Sequence, residues 1–156
     1  MRDQITPLII TYNEAPNIAR TLGKLSWAKR IVVIDSGSTD ETLDVLRSFP
    51  QVDVIEHPFS DFAGQCNFGL TQVATPWVLS LDADYELSDE LVEELTGLRA
   101  PDNVAGYRAR FVYRIHGRAL RGLADRLLAL LFAMLKTQTL FDPALRQAAI
   151  SSANSA

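Results

Sequence analysis

Trp77-Val78-Leu79-Ser80-Leu81-Asp82-Ala83-Asp84-Tyr85 carries an apolar run abruptly into two carboxylates separated by one small residue. The run reads as a buried strand and the acids as its carboxyl end. In open α/β sheets ligands meet the protein beyond the carboxyl ends of the strands, so a cation or a phosphate-bearing substrate belongs here. Residues i and i+2 of an extended segment point the same way, which lets Asp82 and Asp84 converge on one hard cation. Acids also close strands simply to open a turn, and this stretch alone does not choose between the two readings.

Working outward toward the N-terminus, Pro7-Leu8-Ile9-Ile10-Thr11-Tyr12 is a short β-prone run that ends in Asn13-Glu14-Ala15-Pro16. Pro16 suits the first turn of a helix, and Ile18, Leu22 and Leu25 then fall at helical spacing. Ile31-Val32-Val33-Ile34 is too short and too β-branched for a helix, and it leads into Asp35-Ser36-Gly37-Ser38-Thr39-Asp40. Ser38 with Glu41 fits a capping box that opens a helix to Phe49. Val52 to Ile55 is a third strand, residues 62–73 form a helix despite Gly64 and Gly69, and Ser88 caps a helix through Leu98. The alternation of strand and helix implies a largely parallel sheet with helices on both faces. Polar clusters at residues 11–14, 35–39 and 82–84 then all lie on one edge, which favours the ligand reading of Asp82 and Asp84.

At 156 residues with 47% hydrophobic and 22% charged side chains, the chain has room for one globular domain and no second full one. A single cysteine, Cys66, excludes an intrachain disulfide and a thiolate metal cluster. With no secretory signal expected ahead of the first strand, this is compatible with a reducing compartment, and a cytoplasmic location is the expectation. The net charge of −4 conceals a division: residues 1–98 hold 6 Lys+Arg against 16 Asp+Glu, and residues 99–156 hold 9 against 3. The acidic part suits a metal-dependent site. The basic part is either a solvated face or a surface for phosphates, an anionic acceptor or the inner face of the membrane.

Thr11-Tyr12-Asn13-Glu14, Asp35-Ser36-Gly37-Ser38-Thr39-Asp40 and Leu81-Asp82-Ala83-Asp84 together resemble the successive signatures of the family 2 glycosyltransferases. Gly117 to Gly122 resembles a further shared segment, and the likeness covers about residues 6–122. It is nearest to bacterial members that build lipopolysaccharide core or other surface polysaccharides. The resemblance implies a Rossmann-like GT-A nucleotide-sugar-binding fold over residues 1–122. It also implies inverting transfer from a nucleoside diphosphate donor, a UDP-sugar by the family's habit, to a glycan or lipid-linked acceptor, with no nucleic acid involved. Thr11, Tyr12 and Glu14 would line the nucleotide base pocket, Asp35 would hydrogen-bond the base, and Asp82 would lie near ribose and diphosphate. Asp84 would ligate Mn²⁺ or Mg²⁺, and Asn67 matches an Asn of the family's middle helix. From the residues alone, Asp35 is as well explained by bonding its own turn.

The acceptor side is less complete. The strand expected over 106–116 places Tyr107, Phe111, Tyr113 and Ile115 on one face, and beyond it Asp125 and Asp142 are the only carboxylates. Neither matches a family base, and His116 is an alternative, so the catalytic base stays unknown. Residues 123–135 read as an apolar helix, too short to span a bilayer, serving as core, self-association surface or interfacial anchor. The last residues read as disordered, and a truncated or divergent C-terminal part would account for the missing base. Two other functions fit parts of the pattern. A haloacid-dehalogenase-like phosphatase would use Asp82 and Asp84, but Glu86 stands where its motif needs Thr or Val. A non-catalytic nucleotide-sugar-binding domain, or a fragment lacking the acceptor-side base, would use the donor half alone.

Overall fold

The computed structural model describes residues 2–109 and, beyond them, the backbone of three short strands at 114–115, 118–119 and 134–136. A short 3₁₀ turn at Arg2–Gln4 leads into β1 (Ile5–Thr11), α1 (Ala15–Gly23), β2 (Ile31–Asp35), α2 (Thr42–Arg47) and β3 (Val52–Glu56). Then come α3 (Phe62–Thr71), β4 (Trp77–Asp82), α4 (Asp89–Gly97), β5 (Gly106–Tyr107), β6 (Arg114–Ile115), β7 (Arg118–Ala119) and β8 (Met134–Lys136). The main sheet runs β3-β2-β1-β4-β8-β5, and β6 and β7 form a separate two-stranded ribbon. β3, β2, β1 and β4 are parallel, whereas β8 is antiparallel to both β4 and β5. Four parallel strands with intervening helices are the α/β arrangement that the alternating pattern implied.

Strand alternation sorts the core into two layers. Ile5, Ile9, Ile31, Val33, Leu79 and Leu81 face one way and pack with Ile18 and Leu22 of α1, Leu46 of α2 and Leu95 of α4. Leu8, Val32, Ile34 and Val78 face the other way and meet Phe68 and Leu70 of α3. Both layers are closed, so all five residues of β2 are buried, and its Ile-Val-Val-Ile run needs no polar alternation. Each such aliphatic side chain, fully buried, contributes about 1.5–3 kcal/mol of transfer free energy. Pro7, unusual in a central strand, falls where β1 pairs with β4, and the ladder to β2 begins only at Leu8.

Helix termini follow local chemistry more closely than periodicity. Asp61 accepts from Gly64 N–H (2.8 Å) to cap α3, and Ser88 accepts from Leu91 N–H (3.2 Å) to cap α4. The capping box expected of Ser38 and Glu41 does not form. α2 begins at Thr42 with no side-chain cap from Glu41, because the Ser38 hydroxyl is taken up by Asp35. The single strand expected over 106–116 is instead two short strands, β5 and β6, in different sheets. The apolar helix expected over 123–135 does not reach its predicted end, since Met134 and Leu135 lie in β8, inserted between β4 and β5. An all-apolar segment fits a strand covered on both faces as readily as a helix, which is why periodicity misread it. Apart from β8, residues 123–156 lie outside the described residues, as do His116, Asp125 and Asp142, the residues weighed for the acceptor-side base.

Gly69 shows how closely α3 approaches the sheet. A Cβ there would sit 2.7 Å from Leu8 Cδ1 and 3.2 Å from Ile34 Cγ1. Gly69→Ala is therefore expected to destabilise the fold by about 1–3 kcal/mol despite alanine's better helix propensity. Urea unfolding of the variant beside the unaltered chain measures this directly.

Candidate functional site

Parallel register brings the polar strand ends together. Thr11 pairs with Asp35, Asp35 with Glu56, and Ile10 with Asp82, so four strands expire along one line. Beyond that line the loops interlock. Asn13, in the left-handed region at φ 53°, accepts through Oδ1 from Thr39 N–H (2.7 Å) and donates its own N–H to Ser38 Oγ (2.9 Å). Glu14 N–H donates to Thr42 Oγ1 (2.8 Å), and Ala15 N–H donates to Asp40 Oδ2 (3.2 Å). An Asn at this position tolerates the positive φ and supplies the acceptor that binds the neighbouring loop. The Thr42 hydroxyl also donates to Asp40, and this bond chiefly holds the Asp40 carboxyl below its ordinary range.

A cavity of about 650 Å³ opens over these ends. Thr11, Tyr12, Glu14, Asp82 and Asp84 all line it, as the sequence implied, together with Ile10, Ser36, Ala83, Phe59 and Phe62. Thr11 is almost wholly buried, and its hydroxyl has no hydrogen-bond partner among the described residues. A buried hydroxyl left unpaired beside a cavity is the kind of group that a ligand or ordered water satisfies. Ser36, Phe59 and Phe62 are cavity residues that sequence reasoning did not single out. Phe59 and Phe62 carried a usable signal, being two aromatics set within a polar loop after a strand. With Tyr12 they are the exposed large hydrophobic side chains of the described region, and all three converge on this cavity.

Asp35 and Asn67 do not line the cavity. Asp35 is fully buried, and Oδ2 accepts from Gly37 N–H (2.9 Å) and Ser38 N–H (2.8 Å) while Oδ1 accepts from Ser38 Oγ (2.5 Å). In this structure its carboxylate is engaged by its own turn, which Gly37 at φ +90° makes possible. Asn67 lies on α3, partly buried, five positions beyond Phe62.

The acidic pair is arranged differently from the extended geometry read in the sequence. β4 ends at Asp82, and residues 83–84 form a turn closed by Tyr85 N–H donating to the Asp82 carbonyl (3.2 Å). Between the two acids Ala83 is buried, and its carbonyl accepts from the buried Thr21 hydroxyl of α1 (2.8 Å). The turn is thus pinned from below while Asp82 and Asp84 face the cavity. Loss of hydration beside the protein pushes the Asp84 carboxyl above its ordinary range, and the charges of Asp82 and Glu14 add to the effect against the opposing Arg20. Among the described residues no three His, Cys, Asp or Glu side chains are grouped so as to hold a metal by themselves. One or two carboxylates with room beside them suit a divalent ion whose remaining ligands come from substrate phosphates and water, so the residues fit Mn²⁺ or Mg²⁺.

The sequence matches the family described as glycosyl transferase family 2 across residues 7–149. The chain belongs to that family. The match continues through residues 123–149, past the point at which the motif likeness ended. This chain is 36% identical over 107 residues to an uncharacterised glycosyltransferase of Rickettsia bellii, covering 68% of this chain and 36% of that protein. It is 34% identical over 117 residues to a lipopolysaccharide core biosynthesis glycosyltransferase, LpsC, of Rhizobium meliloti, covering 71% of this chain and 43% of the other. The chain thus spans about two fifths of the length of these curated relatives. Among solved structures it superposes on a mannosyltransferase of Pyrobaculum calidifontis in complex with GDP-Man and Mn²⁺. There the TM-score is 0.57 with 27% identity, over 68% of this chain and 35% of that one. The fold is also that of S. aureus TarS 1-349 in complex with UDP, at TM-score 0.59 and 17% identity, over 97% of this chain and 54% of that one. The GT-A fold of the family 2 chain is thereby established, and among its described residues no helix is long and apolar enough to cross a membrane.

Crowding at Asp84 has a measurable cost to the fold. A carboxyl whose folded pKa is raised opposes folding once ionised, and this penalty grows as pH rises from the ordinary carboxylate range through the raised value. Asp84→Asn is expected to be at least as stable as the unaltered chain at pH 7, with the difference vanishing at pH 3. Because Asp84 is exposed, the gain is modest, and urea titrations at the two pH values measure it.

Proposed function

We propose that this chain binds a nucleoside diphosphate sugar, a UDP-sugar foremost, in the cavity at the carboxyl edge of its parallel strands and serves transfer of that sugar to a bacterial surface-glycan or lipid-linked acceptor. The observation that carries the reading is the composition of that one cavity, which gathers the carboxylates of Glu14, Asp82 and Asp84, the rings of Tyr12, Phe59 and Phe62, and the hydroxyls of Thr11 and Ser36. A nucleoside diphosphate has the complementary parts, a flat apolar base and an anionic diphosphate that needs a cation. Thr11 and Tyr12 are assigned to the nucleoside, Glu14 and Asp82 to the ribose and diphosphate region, and Asp84 to the metal. Mn²⁺ or Mg²⁺ held by Asp84 would supply stabilisation of the charge that develops on the diphosphate leaving group.

The protein's own part is positional. Tyr12, exposed beside Phe59 and Phe62, offers a ring on which a base can stack, and the pinned turn around Ala83 keeps Asp82 and Asp84 from drifting apart as they are neutralised. Asp35 is assigned to holding the loop 36–38 beside the base. Asn67 is kept as a donor-side residue on the family resemblance. The acceptor class rests on the LpsC relative's name and on the basic balance of residues 99–156, which suits an anionic glycan or lipid. Inverting transfer needs a base on the acceptor side, and the candidates for it lie beyond the described residues.

A thermal-shift screen tests the donor reading. At a hundredfold excess over Kd a ligand stabilises by about 2.7 kcal/mol, or roughly 5–10 °C for a chain of this size. UDP with Mn²⁺ is expected to give such a shift, EDTA to remove most of it, and Asp84→Asn to make the two conditions alike. Equal affinity of UDP in EDTA and in Mn²⁺ would overturn the metal assignment, and no shift with any nucleotide sugar would overturn the donor reading. Asp35→Ala should weaken UDP and inorganic pyrophosphate together, because the loop it holds underlies the whole cavity; a loss confined to UDP would show direct contact with the base.

A further inference from the structure

Glu14 stands at the head of α1, and Asn17 and Arg20 follow it at a spacing that puts all three on one face of the helix. Asn17 Nδ2 donates to Glu14 Oε2 (2.8 Å), and Arg20 Nη2 donates to Asn17 Oδ1 (3.2 Å). A guanidinium can only donate and an ionised carboxylate can only accept, so one orientation of the Asn17 amide serves both neighbours. Beyond Arg20 the line continues from Nε to Glu86 at 3.4 Å, in the segment between β4 and α4. The adjacent Thr21 pins the Ala83 carbonyl. Consecutive residues of α1 thus hold both Glu14, through Asn17, and the turn that carries Asp84.

The main chain of Glu14 is fixed independently. Its N–H donates to Thr42 Oγ1, and its carbonyl accepts from Asn17 N–H (3.0 Å) and Ile18 N–H (2.9 Å), so the place of the carboxylate depends on side-chain torsions alone. Among the described residues, Asn17 is the hydrogen-bond partner of that carboxylate. Glu14 shares the cavity with Asp82 and Asp84, and its charge acts on Asp84. Even so, among the described residues these three are not grouped so as to hold an ion by themselves. Affinity for a hard divalent ion follows the number of charged oxygens around it, so a third carboxylate separates a site that keeps its cation unaided from one that needs further ligands. We infer that Asn17, its amide oriented by Arg20, is a positioning residue that holds Glu14 against α1 and off the cation, so that an ion at Asp84 depends on the nucleotide's phosphates to complete its coordination. Metal and nucleotide then arrive and depart together. This rests on the metal reading given above and goes beyond it in naming the residues that couple ion to nucleotide.

Two measurements on the full chain test it: Mn²⁺ affinity without nucleotide, read as free Mn²⁺ by electron paramagnetic resonance, and the factor by which Mn²⁺ tightens UDP over EDTA, read by calorimetry. In the unaltered chain that factor is expected to be roughly tenfold or more. Asn17→Ala releases Glu14, so nucleotide-free Mn²⁺ affinity should rise by roughly three- to tenfold, the effect of one added charged ligand, and the tightening of UDP should shrink by a similar factor. Alanine is the better helix former, so this variant keeps its fold, which urea unfolding checks. In a Glu14→Gln background the same substitution should move neither quantity, because the carboxylate that is released is gone. An Asn17 that only supported the helix would leave Mn²⁺ affinity unchanged or lower it when replaced. An unchanged or lower nucleotide-free affinity in Asn17→Ala, or a rise that persists in the Glu14→Gln background, would therefore overturn this inference alone. Failure of Mn²⁺ to tighten UDP in the unaltered chain would overturn the metal reading and this inference with it.

Discussion

The Asp35 carboxylate is the point on which the ligand edge depends. An ionised carboxylate removed from water costs several kcal/mol, and it is tolerated only when donors replace the lost hydration. Here Gly37 N–H, Ser38 N–H and the Ser38 hydroxyl do so, and in doing so they fold the loop back over the end of β2. That loop in turn holds Asn13 through Ser38 and Thr39, and Asn13 sets the course of the chain between Tyr12 and Glu14. Two ligand-facing segments, distant in sequence, are therefore fastened to one buried charge. Ser36 N–H donating to the Thr11 carbonyl closes the same junction from the strand side.

The sequence was most legible where one physical requirement fixed the residue types. Buried parallel strands need near-continuous apolar runs, so β2 and β4 could be read directly, and the order of strands and helices then placed Thr11, Tyr12, Glu14, Asp82 and Asp84 on one edge. Legibility failed where several structures satisfy the same composition. Met134 and Leu135 suit a buried strand as well as a helix, and only the neighbours β4 and β5 decide between them. Ser38 fits a capping box in sequence, but a buried carboxylate three residues earlier competes for its hydroxyl more strongly than a helix end does. The line from Glu14 through Asn17 and Arg20 to Glu86 was not visible because its last link passes through the tertiary contact of α1 with the segment after β4.

The carboxylates of the cavity illustrate a conflict between folding and the proposed ligation. Asp82, Asp84 and Glu14 line one cavity, and the Asp84 carboxyl is raised chiefly by lost hydration, with the charges of Asp82 and Glu14 adding to it. A fold optimised for stability would place a lysine there; Arg20 is at hand but is paired with Glu86 at 3.4 Å. The aromatic rings of Tyr12, Phe59 and Phe62 similarly remain open to water. Both features cost stability in the empty protein, and both would be relieved by the ligand class proposed above, a cation-bearing nucleoside diphosphate.

The insertion of β8 between β4 and β5 bears on how the molecule is made. β1 to β4 can pair as soon as residue 82 has emerged, but at that stage β4, the strand carrying Asp82, is an unprotected edge with a full row of free backbone groups. Its partner arrives only with Met134–Lys136, so Leu79 waits for a residue more than fifty positions later in the chain. During synthesis the ligand edge is therefore assembled before the sheet beside it is sealed, and the interval is one in which another chain's strand could dock in β8's place. The strand that bears the acids is thus also the seam along which nascent chains of this protein are most exposed to mispairing.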